Sequence, residues 1–261
     1  MQKYGYTRSK ALYLIKNSMV SINGLTITDR LHLINEHDEI TVEIPTLTCK
    51  ILWNNNEIAI VHKPHGMPTE RCATTAFTDV VLEEDVAKQL SLERVFALHR
   101  LDKETNGIMI VALNQDAYDK YKPIMQDRKF AKAYRAFYVN EGFTMNEIRH
   151  FECPHGKLIW SSDTECLCDK IGEYELKEIR INETAQGIKL AQNGSKICET
   201  LMRPIHNGYE CVLITGRTHQ IRLTMKSIKR IIAGDRLYGN RDSCNMQLFA
   251  YYIDIDKNLI K

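Results

Sequence analysis

No run of apolar residues in this 261-residue chain comes near the roughly 20 that a membrane-crossing helix needs; the longest, such as Ile108 to Leu113, are far shorter. A transmembrane helix is excluded on that ground, and no membrane partner is expected. Glycine-rich loops with the spacing that cradles nucleotide phosphates are missing, and so is a Gly-x-Ser-x-Gly nucleophile elbow. Cofactor-dependent redox chemistry and phosphoryl transfer lose their main sequence support, and no cofactor is expected. The cysteines at 49, 72, 153, 166, 168, 198, 211 and 244 follow no repeating framework in a chain too long to need disulfide staples. Reduced thiols in a cytoplasmic protein are the expectation. Residues 141–197 carry no repeat and no low-complexity tract.

Acidic residues are absent from the first 28 positions, which hold Lys3, Arg8, Lys10 and Lys16. An acid-free, basic, amphipathic start is shared by organellar transit peptides and by folded basic modules. Thr7 or Ser9 can cap a helix whose apolar residues Ala11, Leu12, Ile15 and Met19 recur at spacings of three and four. Val20 to Gly24 then reads as an alternating strand ending in an Asn-Gly turn, and Ile40, Val42 and Ile44 alternate again before Pro45. That order of helix, strand, turn and strand favours a folded unit over residues 1–46.

Basic residues recur elsewhere. Six lie between Lys120 and Arg135, and Arg217 to Arg230 contains five and no acid. In a chain with a net charge of only +2, such local clustering points to a polyanion-facing surface, since phosphate contacts need grouped Lys and Arg. From Thr218 onward Ile221, Met225 and Ile228 predict a helix with an apolar stripe, while Arg222, Lys226 and Arg230 recur every fourth residue as a phosphate track. Over residues 47–261 a mixed pattern predicts strands at Glu57 to His62, Val95 to Leu98, Ile108 to Ala112, Ala131 to Val139 and Tyr209 to Ile214. Helices are expected near Gln115 to Gln126 and, capped by Thr78, along Leu82, Val86 and Leu90.

Three groups of residues offer chemistry. Cys153, His155, Cys166 and Cys168 are four zinc-ligand types within sixteen residues, but their single-residue spacers differ from the two to four residues usual in structural zinc sites, so no metal is expected. His99 and His219 are acid-base candidates because histidine titrates near neutral pH. Asp102 sits between Arg100 and Lys103, just before an apolar run. It is either part of a polar turn over 102–107 or a nucleophile or base held at a strand end.

The segments IVHKPHGMP, HRLDKETNG, AKAYRAFYV and TGRTHQIR decide between those alternatives. In this order and spacing they resemble the RluA-like pseudouridine synthases. TRSKALYLIKNSMVSING and EHDEITV resemble the later part of a small RNA-binding module found in a ribosomal small-subunit protein, with its first helix reduced and His37 in place of a glycine. The resemblance implies an α+β fold with a mixed, mainly antiparallel central sheet and flanking helices, behind a small N-terminal α/β RNA-binding module.

It also implies isomerisation of uridine to pseudouridine in structured RNA, with ribosomal RNA favoured over transfer RNA and a monomeric enzyme. Asp102 corresponds to the family's catalytic acid, Tyr134 to the tyrosine that contacts the target uracil, and Arg222 to the basic partner of the aspartate. Arg100 corresponds to the arginine that replaces the flipped base in the RNA stack. Lys63, Arg217, Lys226 and Arg230, with Arg8, Lys10 and Lys16 in the N-terminal unit, are the expected RNA contacts. The chain departs from the family at Asn106 (usually serine), at Thr224 (often histidine) and at Leu248-Phe249-Ala250 (commonly Leu-His-Ala), after which a strand is expected to be shortened or lost. The alternative reading is a non-catalytic RNA-binding or ribosome-assembly factor that keeps the synthase fold; joint retention of Asp102, Tyr134 and Arg222 argues against it.

Overall fold

A computed structural model describes residues 6–44, 46–73, 75–126, 132–138, 174–185, 187–239 and 244–253. The chain divides into two compact units, Met1–Leu47 with Cys72–Asp79, and Thr48–Arg71 with Val80–Lys261. The proposed zinc ligands Cys153, His155, Cys166 and Cys168 lie outside the described residues.

The first unit begins with α1 (Arg8–Lys16), capped by Thr7, whose side chain accepts from the Lys10 amide. Its buried residues are Ala11, Leu14 and Ile15. The stripe is thus carried by Leu14 rather than Leu12. Strands β1 (Val20–Ile22), β2 (Leu25–Thr26) and β3 (Ile40–Val42) form a small antiparallel sheet in the order β2-β1-β3. Asn23 and Gly24 between β1 and β2 both have positive φ, 50° and 80°, as a tight primed hairpin turn requires. Leu14, Ile15 and Val20 form the core of this unit, with Phe77 packed against them.

In the second unit the strands are β4 (Lys50–Asn54), β5 (Ile58–Lys63), β6 (Phe96–Ala97), β7 (Asn106–Ala112), β8 (Lys132–Phe137), β9 (Glu175–Thr184), β10 (Gly187–Leu190), β11 (Lys196–Ile205), β12 (Gly208–Leu213) and β13 (Leu248–Ile253). Helices α2 (Leu82–Gln89), α3 (Gln115–Gln126) and α4 (Gln220–Ser227) accompany them. The sheet runs β10-β9-β11-β12-β8-β13-β7-β5-β4, with β6 alongside β7. Among the described residues every pairing in this sheet is antiparallel except β13 with β7. The mixed, mainly antiparallel sheet expected from the sequence is what forms. No helix among the described residues is long and apolar enough to cross a membrane.

The central strands explain their own sequences. Ile58, Ile60, Ile108, Ile110 and Ala112 pack with Ala117 and Tyr121 of α3, while Ala59, Val61, Met109 and Val111 on the opposite face are buried as well. A strand covered on both faces reads as a continuous apolar run rather than an alternating one. At the far side, Leu223 anchors α4 against Ile179, Ile181 and Cys198 of β9 and β11.

Three expectations are corrected. Thr78 does not cap a helix: α2 starts at Leu82 after Val81, which makes no side-chain cap bond. Its first amides are met instead by main-chain carbonyls, Leu82 donating to Pro68 and Glu83 to Thr69, and Glu83, Glu84 and Asp85 fill the first turn, where negative charge suits the helix dipole. A strand is not lost here: β13 runs from Leu248 to Ile253 in the middle of the sheet, and residues 254–261 lie outside the described ones. Asn106 and Gly107 are not a turn but the start of β7, where the parallel partner β13 comes close, with Phe249 opposite Asn106 and Ala250 opposite Gly107.

That close approach is why residue 107 is glycine. Its φ is +130°, and a Cβ there would lie 2.1 Å from the Ala250 carbonyl oxygen. Gly107→Ala is expected to cost about 3 kcal/mol from overpacking and backbone strain together. The thermal unfolding midpoint should fall by roughly 5–10 °C; an unchanged midpoint in a melting scan would contradict this account of the β7–β13 junction.

Candidate active site

Asp102 lies in the connection between β6 and β7, just after the buried Leu101. Backbone and side-chain bonds hold this connection from the strand-end segment that follows β5. Thr69 Oγ1 donates to the Leu101 carbonyl at 2.9 Å and accepts from the Leu101 amide at 3.3 Å. The Gly66 amide donates to the Lys103 carbonyl at 2.8 Å, and the Thr105 amide closes the turn onto the Asp102 carbonyl at 3.0 Å. His65 Nε2 meets Glu104 Oε2 at 2.7 Å. The segments IVHKPHGMP and HRLDKETNG are therefore two halves of one support, and the polar turn is the mount for the acid.

Lys63 belongs to this support and not to an RNA-facing surface, contrary to the expectation drawn from its charge. It is fully buried, and its Nζ donates to the carbonyls of Met67 at 2.7 Å, Pro64 at 3.2 Å and Lys103 at 3.2 Å. Burial pushes its pKa down from the ordinary 10.5 to about 7, against the pull of the Asp102 and Glu104 carboxylates.

Arg222, on α4, comes to the same place from the other side. Its side chain is 5% exposed, because it lies on the helix face turned inward beside Leu223. It grips Asp235 through two bonds, Nε to Oδ2 at 2.8 Å and Nη2 to Oδ1 at 2.6 Å. The remaining nitrogen, Nη1, is 3.8 Å from Asp102 Oδ2. Asp235 also accepts from the amides of Leu237 and Tyr238, each at 3.0 Å. Burial alone would raise the Asp235 pKa, but Arg222 and these two amides outweigh it and hold the carboxyl below its ordinary value. Arg222 is raised in turn, burial being overcome by Asp235 and then Asp102. The phosphate track is corrected accordingly: Arg222 faces the interior, while Lys226 and Arg230 are exposed and lie over the rings of Tyr238 and Tyr138.

Tyr134 sits in the sheet on β8, opposite Cys211 of β12 and Ala250 of β13. It is buried, and burial together with the nearby Asp102 pushes its hydroxyl pKa up. A cavity of about 690 Å³ opens between these elements, and its walls include Arg100, Asp102, Tyr134, Arg217, His219 and Arg222. Arg100 is 71% exposed and pairs with Glu70 at 2.7 Å; Arg217 is exposed at the same cavity. Arg8, Lys10 and Lys16 are exposed on α1 of the first unit.

The two histidines part company. His99 is buried, its Nε2 accepts from the Ile110 amide at 3.2 Å, and burial, then Lys132 and Lys122, hold its pKa well below the ordinary value. His219 faces Asp102, with Nε2 3.8 Å from Oδ2, and its Nδ1 is 2.8 Å from the Tyr238 hydroxyl. Sequence reading missed Asp235, Tyr238 and Gln220. The Gln220 side chain accepts from Thr215 and the Arg217 amide, and donates to Thr200 and the Glu199 carbonyl, which pins the start of α4 to β11. The tract GDRLYG held the first two in plain view, but an Asp and a Tyr after a helix carry no signal without a partner.

A family model described as RNA pseudouridylate synthase matches residues 57–227. An Aquifex aeolicus protein described as an uncharacterized RNA pseudouridine synthase is 25% identical over 95% of this chain and 81% of its own length. A ribosomal large subunit pseudouridine synthase D of Neisseria meningitidis is 29% identical over 90% of this chain, which spans 60% of that longer protein. Among solved structures, human RNA pseudouridylate synthase domain containing 1 shares the fold, with a TM-score of 0.56 at 19% identity over 79% of this chain and 78% of that one.

The depressed pKa of Lys63 has a measurable consequence. Below about pH 7 both folded and unfolded chains hold its proton, and burying the ammonium is costly; between about 7 and 10.5 only the unfolded chain holds it, so stability rises with pH through that window. Lys63→Met removes the titrating group. Wild type is expected to gain about 2 kcal/mol on the variant between pH 7 and pH 9 in urea unfolding, and a gap that does not change with pH would contradict the buried-lysine reading.

Proposed function

The chain belongs to the RNA pseudouridylate synthase family, and from that premise we propose that Asp102 is the group that acts on the target uridine, in structured ribosomal RNA. The enzyme is an isomerase acting on RNA: uracil leaves its sugar, turns, and is rejoined through carbon. Nothing is oxidised and no atom is lost, so acids, bases and positioned charge suffice for the chemistry.

The observation that carries the assignment is the carboxylate of Asp102 on the cavity wall, 27% exposed, with the guanidinium of Arg222 at 3.8 Å. A carboxylate entering a closed site loses water and tends to take up a proton, and a neighbouring guanidinium opposes that. Arg222 suits the task because Asp235 holds it in one orientation. Tyr134 offers an aromatic ring at the same cavity, whose size fits a nucleoside. Swinging a uridine out of its stack costs about a few kcal/mol, and stacking on such a ring recovers part of it.

Arg100, exposed at the cavity rim, is proposed to fill the gap left in the RNA; its ion pair with Glu70 lies at the surface and is weak enough to exchange. Arg217, Lys226 and Arg230 are proposed to follow the RNA backbone near α4, and Arg8, Lys10 and Lys16 to add contacts from the first unit. Ribosomal RNA is favoured because the N-terminal segments resemble a ribosomal protein's module and because one relative is described as acting on the ribosomal large subunit.

Asp102→Asn keeps the shape and removes the charge. Expressed in cells with little background modification, wild type should leave pseudouridine at specific positions of ribosomal RNA and the variant none. Identical maps from the two proteins would sink the assignment of Asp102.

A further inference from the structure

We propose that His219 is the base that removes the proton from C5 of the target uracil, using the Nε2 lone pair that faces Asp102. The inference rests on the uridine isomerisation above and names a further group in the same cavity.

The need for such a base follows from comparing substrate with product. In uridine N1 carries the sugar and C5 a hydrogen; in pseudouridine C5 carries the sugar and N1 a hydrogen. Once the sugar is joined to C5, that carbon is tetrahedral and the ring holds a C6=N1 double bond. The C5–H bond then breaks, its electron pair forms C5=C6, the C6=N1 pair moves onto N1, and N1 takes up a proton. One proton is accepted and one is delivered, and no other reactant is consumed.

In the proposed state the neutral His219 ring carries its hydrogen on Nδ1. The Tyr238 hydroxyl lies between two neighbours, His219 Nδ1 at 2.8 Å and the Ile188 carbonyl, which can only accept, at 3.4 Å. With the hydroxyl proton turned to the carbonyl, the hydroxyl oxygen accepts from Nδ1–H. That tautomer leaves the Nε2 lone pair for the substrate at the cavity that His219 lines, with Nε2 3.8 Å from Asp102 Oδ2. That is too long for a hydrogen bond, yet close enough for an ion pair once the ring is protonated. The Asp102 carboxylate thus stabilises the imidazolium that proton removal would create.

The backbone gives up local stability to place this ring. His219 is the cap residue of α4 with φ 56° and makes no side-chain cap bond. A left-handed non-glycine residue is strained, and an unused cap forgoes a stabilising hydrogen bond. The ring is directed instead to Tyr238 and Asp102.

The other titratable groups at the cavity suit the role less well. Tyr134 holds its proton more firmly than a free tyrosine, and Arg222 has no lone pair. Lys122 donates to the Ala97 and Leu98 carbonyls, and Lys132, pushed down by burial to about 8, stays mostly cationic at neutral pH. His99 spends Nε2 on the Ile110 amide. The groups facing His219 are Asp102 from the β6–β7 connection, Arg222 from its own helix, and Asp235 and Tyr238 from the segment after it. Burial first, and Arg222 with it, hold the imidazole below its ordinary pKa against the two carboxylates, which favours the uncharged ring.

The test uses the full chain and ribosomal RNA transcribed with uridine deuterated at C5, in single turnover. His219→Asn is the first variant because asparagine tolerates the left-handed backbone, and His219→Gly leaves room for added imidazole. Pseudouridine formation should fall about 10²-fold or more in both, with a primary deuterium isotope effect absent from wild type. Imidazole should restore part of the rate to the glycine variant, and the loss of wild-type activity at acid pH should vanish from both. A variant within about threefold of wild type, or a slow variant with neither isotope effect nor imidazole rescue, overturns the proposal. If wild type itself makes no pseudouridine, it is the functional reading that fails.

Discussion

The site depends on one buried ion pair. Arg222 and Asp235 have side chains 5% and 1% exposed, and burying two charges is expensive unless every polar atom is met. Asp235 satisfies that condition with two bonds from the guanidinium and two from main-chain amides. The guanidinium spends Nε and Nη2 on the pair, and because it is planar and rigid, the place of Nη1 follows. That nitrogen is the one beside Asp102. A lysine would supply the charge without the direction.

The opposite wall is fixed by different means. Asp102 sits on a connection whose carbonyls and amides are held by Thr69, Gly66 and the Lys63 amine. The apolar run of β7 anchors one end of that connection in the core, and Gly107 lets β13 pass close enough to close the sheet around Tyr134. The placement of Asp102 and the stability of the fold therefore share residues, and Lys63 and Gly107 are where they meet.

Much of this was legible in the sequence wherever the signal was local. Apolar runs gave the central strands, the Asn-Gly pair gave the first hairpin, and four short motifs gave Asp102, Tyr134 and Arg222, which the structure brings to one cavity. What could not be read depended on partners distant along the chain. Lys63 looks like a surface cation until three carbonyls surround it. Arg222 looks like one of an exposed row until Asp235, thirteen residues on, turns it inward. Asn106 and Gly107 form a turn in one context and a strand start in another, and only the approach of Ala250 decides between them. Thr78 has the chemistry of a cap, but the helix begins after Val81, where main-chain carbonyls serve its amides.

A double-mutant cycle tests most directly whether Arg222 and Asp235 work as one unit in presenting Nη1 to Asp102. Single-turnover pseudouridine formation would be measured for Asp235→Asn, Arg222→Gln and the double variant, each checked for folding by circular dichroism. If the pair works as one unit, the double variant should be no slower than the slower single, a strongly non-additive result. Losses that multiply in the double variant would contradict the account.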